Sequence, residues 1–234
     1  MPYRPRHKGA VVNYGGRKMS VKKFNRLHGA KSHPRMNDLK FESDFWGSCC
    51  NTFDEERKQF VYADLMGIKR VTGGPRLDEW GFDTKGKRIL DIGGGPVSML
   101  LKGVGLISGI VVDPLVFPDW VTTRYDSKNI ELLQAKGEDL FDHTWIPEDF
   151  DEVWIYNVLQ HVDDPVQVIA NAKKAGKLIR IFEWIDIPAY PGHPQMLTKE
   201  RLEEWLGGKG DTQYLSREGC QGRCFYGVFA TAGI

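Results

Sequence analysis

Ile89-Leu90-Asp91-Ile92-Gly93-Gly94-Gly95-Pro96 is the stretch on which the fold turns. Arg88 to Ile92 reads as a short buried strand, three glycines follow, and Pro96 opens an apolar stretch that predicts a helix to about Lys102. Glycines between a strand and a helix let the backbone approach a ligand closely and adopt dihedral angles that other residues resist. A nicotinamide-dinucleotide site also uses such a turn, but here the third glycine of G-x-G-x-x-G falls at Ser98. Asp91 separates the two readings further. A carboxylate at the strand tip, two residues before the first glycine, repels a pyrophosphate and suits a ligand with a cationic amino group. Charge complementarity therefore favours an amino-acid-bearing nucleoside.

Downstream the strand–loop–helix pattern repeats. Ser108 to Val112 is a second strand ending in Asp113-Pro114, where an acceptor-only carboxylate can bind both ribose hydroxyls of either ligand class. Ile130 to Gln134 is a third strand, followed by Lys136-Gly137-Glu138-Asp139-Leu140, and Glu152 to Tyr156 is a fourth. Asp164-Pro165 opens a helix, with Asp as N-cap and Pro at the first helical position. Lys177 to Phe182 is a fifth strand. Such alternation predicts parallel strands with helices on both faces. The end differs: after a helix around Thr198 to Leu206, strands at Asp211 to Leu215 and Cys224 to Thr231 flank a loop too short for a parallel crossover, so they should be antiparallel.

Upstream, Thr52-Phe53-Asp54-Glu55 has the spacing of a capping box, and Phe53, Phe60, Val61, Leu65 and Ile68 follow at helical spacing. A leading helix over 52–67 is expected, with Gly67 as terminator. Residues 1–43 show no sustained period and read as an arm with little core of its own; residues 44–234 form the domain. The net charge of +1 hides an asymmetry: residues 1–40 carry eleven basic side chains against one acid, Asp38, leaving 21 of 32 basic and 30 of 31 acidic residues for the rest. This is a basic arm on an acidic body.

Bulk properties narrow the class. The 234 residues, 41% hydrophobic and 27% charged, suffice for one α/β domain with an appendage. No apolar run approaches the roughly 20 residues of a membrane span, and the polar, basic N-terminus lacks a secretory core. Four cysteines are too few for a disulfide framework at this length, so a reducing, cytoplasmic setting is expected. Cys49-Cys50 and Cys220/Cys224 lack the usual two-residue separation of zinc ligands and read as buried thiols, with no metal expected.

Four segments, in order, carry a resemblance. Asp91-Ile-Gly-Gly-Gly-Pro looks like motif I of the class I, Rossmann-like S-adenosylmethionine-dependent methyltransferases, and Val112-Asp113-Pro114 like their second motif. Gly137-Glu138-Asp139-Leu140 resembles their adenine-contacting loop. Tyr156-Asn157-Val158-Leu159-Gln160-His161-Val162-Asp163-Asp164-Pro165 resembles the segment after the fourth strand in their small-molecule branch. The resemblance spans roughly residues 45–234, reversed final strand included. It implies S-adenosyl-L-methionine as cofactor, with Asp91 and the Gly93, Gly94 and Gly95 backbone at the methionine portion. It also implies Asp113 and Pro114 at the ribose, Glu138, Asp139 and Leu140 flanking adenine, and Asn157 and Val158 near the sulfonium.

Methyl transfer from a sulfonium needs alignment and a water-poor pocket, and a base only when the nucleophile must lose a proton. His161 is the candidate base, its alternative role being to order the loop through a backbone hydrogen bond. Trp184, Tyr190 and His193 lie in the segment expected to wall the acceptor pocket, or to pack as a proline-stiffened lid. Trp46 is either a cover over the cofactor or a core residue beside the leading helix. No Asn/Asp-Pro-Pro-Tyr/Phe follows the fourth strand, which departs from amino-methylating DNA enzymes, and no Pro-Cys supports a cysteine adduct. The expected acceptor is a small molecule or glycan. The alternatives are RNA or another polyanion held by residues 1–40, and a non-catalytic cofactor-binding scaffold.

Overall fold

The architecture grows from the strand that carries Asp91. The computed structural model describes residues 52–72, 79–142, 146–190, 192–217 and 219–231, the backbone of 11–14 and 17–20, and Lys40, Ser43 and Trp46. Its elements are β1 (Val11–Tyr14), β2 (Arg17–Ser20), α1 (Thr52–Leu65), β3 (Arg70–Thr72), β4 (Trp80–Asp83), β5 (Arg88–Ile92), β6 (Gly103–Val104) and β7 (Ser108–Asp113). There follow α2 (Asp119–Asp126), β8 (Ile130–Gln134), β9 (Glu152–Tyr156), α3 (Pro165–Ala175), β10 (Leu178–Trp184), α4 (Lys199–Leu206), β11 (Asp211–Arg217) and β12 (Cys220–Ala230).

Seven strands form the main sheet in the order β11-β12-β10-β9-β5-β7-β8. The five strands from β10 to β8 run parallel, whereas β12 is antiparallel to both β10 and β11. The chain leaves β5 toward β7 and β8, then returns to its other side at β9. That reversal opens a crevice at the carboxyl ends of β5 and β9, the place where open α/β sheets bind ligands.

Alternate residues of the central strands face opposite layers. Leu90, Ile92, Val153, Ile155 and Ile181 pack with Val168 and Ile169 of α3 and Leu202 of α4. Ile89, Val111, Trp154 and Phe182 pack with Phe60, Val61 and Tyr62 of α1 and Tyr125 of α2. Both faces are covered, which is why these strands read as nearly continuous apolar runs. The helix ends obey local chemistry. Asp164 accepts from the backbone N–H groups of Val166 and Gln167 at the start of α3, with Pro165 in the first turn. After α1, the Gly67 N–H bonds Asp64 and the Ile68 N–H bonds Ala63, around Gly67 at φ +67°.

Three expectations change. The helix predicted from Pro96 to Lys102 is instead two 3-10 turns, Gly95–Val97 and Met99–Lys102. Ser98 takes ψ 144° between them, and its hydroxyl accepts from the Leu100 N–H, so a local side-chain bond replaces the helical ladder. The predicted loop from Ser216 to Arg223 is mostly strand, because β11 and β12 stay paired up to Arg217 opposite Cys220. β10 extends to Trp184, and so contains residues expected after it. A three-stranded sheet, β3-β4-β6, and the antiparallel β1–β2 pair within the arm had no periodic signal. The side chain of Thr52, and with it the expected capping box, lies outside the described residues, as do Cys49 and Cys50. Among the described residues no helix is long and apolar enough to cross a membrane.

Candidate cofactor and acceptor site

The turn after β5 can be built only from glycine. Gly93 has φ +74° and Gly95 φ +61°, and a Cβ on Gly93 would lie 2.5 Å from Val158 Cγ2. On Gly94 it would lie 2.7 Å from Asp91 Oδ2. The Gly93 N–H donates to Val112 O at 2.6 Å and the Gly95 N–H to Asp113 Oδ2 at 3.1 Å. Trp46, half-buried, sets its indole against Gly95, 3.6 Å from where a Cβ would sit. This places Trp46 at the glycine turn.

Asp91 has no exposed surface. Its Oδ2 accepts from the Ser98 hydroxyl and, at 2.6 Å, from the Tyr156 hydroxyl; its Oδ1 is buried with no hydrogen-bond partner among the described residues. Burial pushes the carboxyl up to about 7, with the nearby Asp113 adding to the rise and the two hydroxyls opposing it. An orphaned carboxylate oxygen in that position fits a ligand's cationic amino group. Asp113, at the end of β7, is also buried: Oδ1 accepts from the Leu115 N–H at 2.9 Å while Oδ2 holds Gly95. One carboxylate thus ties the glycine turn to Leu115 in the loop beyond β7.

The segment after β8 touches the segment after β9. Glu138 Oε1 accepts from the N–H groups of Asp163 and Asp164 at 2.9 and 3.1 Å, and the Asn171 amide donates to the carbonyls of Gly137 and Glu138. Asp139 is exposed. Leu140 is fully buried among Ile146 and Ile92, so its side chain serves the core and only its backbone remains to face a ligand.

After β9 the chain turns through Asn157 at φ +59°, a left-handed conformation that asparagine tolerates better than most residues. Glu183, fully buried on β10, holds this turn: Oε1 accepts from the N–H groups of Val158 and Leu159, each at 3.0 Å. Burial pushes Glu183 up to about 7, while those two N–H groups and the charge of His161 favour its ionised form. Gln160 donates to Asn157 Oδ1 at 2.8 Å. His161 Nδ1 lies 2.7 Å from the Gly192 carbonyl, which only accepts, so Nδ1 carries the proton of the neutral ring. Gln160 Nε2 then donates to His161 Nε2 at 3.3 Å.

The fold brings His161, His193 and Tyr190 together. The His161 and His193 rings meet edge to face at 4.3 Å, Tyr190 lies tilted on His193 at 4.3 Å, and the Tyr190 hydroxyl is 3.0 Å from His193 Nε2. Burial, and then the charge of His161, depress His193 to about 3, so it is neutral. Trp184 does not join them. It packs edge-on to Phe182 and Tyr62 in the layer beneath α1. Sequence reasoning did not single out Tyr125, Tyr156, Gln160 or Glu183. Glu183 fell just beyond the strand expected from Lys177 to Phe182 and gave no signal of its own. Cys220 and Cys224 are buried, and among the described residues no group of His, Cys, Asp or Glu is placed to hold a metal ion.

No family model and no curated protein matches the sequence. Solved structures do. The Burkholderia thailandensis 1,6-didemethyltoxoflavin-N1-methyltransferase, with 1,6-didemethyltoxoflavin and S-adenosylhomocysteine bound, superposes with a TM-score of 0.59 at 14% identity over 99% of each chain. The Haloferax volcanii complex between the Trm112 methyltransferase activator and a methyltransferase contributes a chain with TM-score 0.55 and 10% identity, over 85% of this chain and 99% of that one. An O-methyltransferase family protein from Burkholderia thailandensis gives 0.50 at 12% identity, over 86% of this chain and 62% of that one. The chain has the class I methyltransferase fold. Some solved chains are matched over less of their own length, 65% and 50% in two cases. Within this class I fold the 3-10 turns after the glycines carry few hydrogen bonds of their own, and two tyrosine hydroxyls compensate. Tyr125 donates to Gly95 O at 2.6 Å and accepts from the Ser98 N–H at 2.9 Å; Tyr156 accepts from the Met99 N–H at 3.1 Å.

Proposed function

We propose that the chain is an enzyme that transfers a methyl group from S-adenosyl-L-methionine to a small molecule or glycan. The observation that carries this reading is the Gly93–Gly95 turn, strung between Asp113, which holds it, and Asp91, whose buried Oδ1 lacks a partner among the described residues. In this reading Asp91 and Gly93, Gly94 and Gly95 hold the methionine portion, and Asp113 with Pro114 holds the ribose. Glu138, Asp139 and the Leu140 backbone flank adenine, and Asn157 with Val158 lines the sulfonium end. S-adenosylmethionine supplies a methyl group already activated on sulfur. The chain supplies alignment and exclusion of water. Where the acceptor must lose a proton, His161 takes it on Nε2, displacing the Gln160 amide that donates there, with the buried Glu183 favouring the imidazolium that forms.

Calorimetry tests the donor. S-adenosylmethionine and S-adenosylhomocysteine are expected to bind at micromolar levels and a nicotinamide dinucleotide not at all; binding of the dinucleotide alone reverses the reading. His161→Ala should lower turnover of a hydroxyl acceptor by about 10²-fold or more, in the range of a lost general base. Unchanged turnover removes the base assignment. The eleven cations of residues 1–40 favour a second reading, RNA or another polyanion as acceptor, for which affinity must fall steeply with salt.

A further inference from the structure

Gln160, 3% exposed, stands between two side chains that need different things from it. Its Nε2 donates to Asn157 Oδ1 at 2.8 Å and to His161 Nε2 at 3.3 Å, while Oε1 is buried without a hydrogen-bond partner among the described residues. The bond to the histidine is long for an N–H donor and therefore easily opened. Neutral His161, with its proton on Nδ1 against the Gly192 carbonyl, presents a lone pair at Nε2 and takes the amide's proton as donor bond. Protonated His161 presents an N–H there instead. Two donors then face each other, and the bond is lost.

We propose that Gln160 is a positioning residue for His161, an amide that turns over when the ring gains its proton, donating to the neutral base through Nε2 and accepting from the imidazolium through Oε1. The proposal rests on the methyl-transfer reading only in calling His161 the base. Turning over exchanges Oε1 and Nε2, so an idle acceptor meets a charged donor, and such a bond is about twice as strong as one between neutral groups. Asn157 can follow. It is half-buried, and Oδ1 is the amide atom it commits to Gln160; turning in its own place, it offers Nδ2–H to the incoming Oε1.

The backbone needs no change. The Asn157 N–H is held by Phe182 O, the N–H groups of Val158 and Leu159 by Glu183, and the His161 N–H by Val158 O, which confines the motion to two side-chain amides. Two other titratable groups act on His161. Glu183, from β10, favours the charged ring, and His193, which meets the ring edge to face at 4.3 Å, is kept neutral by burial. The Gly192 carbonyl accepts from Nδ1–H in both states, so Nε2 is where the two forms of the ring differ. A proton taken up by His161 is thereby felt at Asn157, beside the turn that leaves β9.

Neutron diffraction from crystals of the full chain locates the amide deuterons directly. Gln160 Nε2 should face His161 above the titration midpoint of the ring and Oε1 should face it below; Nε2 against the ring at both pH values overturns the proposal. Nitrogen-15 NMR of the histidine rings in solution gives an independent answer through its sign. A fixed donor favours the neutral ring, so its removal in Gln160→Met would raise the His161 midpoint. An amide that turns supports the imidazolium more strongly than the free base, so the same variant should lower the midpoint by about half a pH unit or more. An unchanged or higher midpoint overturns the proposal. Glu183 and His193 remain in the variant, so the difference between the two midpoints belongs to Gln160. If Gln160→Met does not fold, the neutron maps of the wild type decide alone. Neither measurement uses the cofactor: failure of S-adenosylmethionine to bind removes the methyl-transfer reading and leaves the behaviour of the amide to be decided by these results.

Discussion

Glu183 shows how one buried charge can organise a site it never enters. It stands in β10 with no exposed surface and fixes the backbone of Val158 and Leu159, from which His161 hangs through its N–H bond to Val158 O. Glu183→Gln keeps the size and one accepting oxygen but removes the charge that favours an imidazolium on His161. Turnover of a hydroxyl acceptor should fall about tenfold, and the acidic limb of its pH profile should move to lower pH as His161 loses that support. A limb that stays in place would reduce Glu183 to ordering the turn. The three glycines are constrained differently: at Gly93 both the dihedral angle and Val158 exclude a side chain.

At the scale of elements, α2 and β9 reach under the glycine turn and hold it. Tyr125 comes from α2 and Tyr156 from the tip of β9, and between them they bond Gly95, Ser98, Met99 and Asp91. These bonds stand where the ladder of a regular helix was expected after Pro96. Tyr125→Phe removes a buried donor and a buried acceptor without creating a cavity. The dissociation constant for S-adenosylmethionine should rise about tenfold by calorimetry with kcat little changed, and stability should fall by about 1–3 kcal/mol in urea. A loss of stability with unaltered cofactor affinity would show that the turn keeps its shape unaided. The register of β10 against β9, Phe182 opposite Tyr156, sets the distance from Glu183 to the turn it holds.

For the whole molecule, buried carboxyls set opposing pH windows. Asp91 and Glu183 are each pushed up by burial to about 7, above their ordinary values near 4. Between those pH values the folded chain binds more protons than the unfolded one, so this contribution is complete below about pH 4 and is lost as pH rises through about 7. Glu152 works the other way. Burial would raise it, but hydrogen bonds from Arg180, Lys87 and Trp154 prevail and hold it at about 2, so its contribution is lost only as pH falls toward 2. The urea midpoint should therefore decline from pH 5 to 7.5, and Asp91→Asn should flatten the decline. A midpoint that rises with pH in the wild type would contradict the burial of both groups.

Much of this molecule follows from local pattern. The five parallel strands, the cap at Asp164, the terminator at Gly67 and the antiparallel C-terminal pair all follow from apolar runs punctuated by residues whose backbone or side-chain chemistry is short-ranged. The neighbourhood of Asp91 and Asp113 is legible for the same reason, because each ends a strand that the sequence marks. The stretch after Pro96 misleads because Ser98 and two distant tyrosines decide its hydrogen bonding, and no window of sequence contains all three. Trp184 and Tyr190 share one expected wall, yet the alternation of β10 sends Trp184 into the layer beneath α1, while Tyr190 packs on His193. Which buried polar atoms lack a partner among the described residues, at Asp91, Gln160 and His193, is likewise a tertiary outcome. Periodicity reports which face is buried; only the packed molecule reports whether a buried group has met its partner.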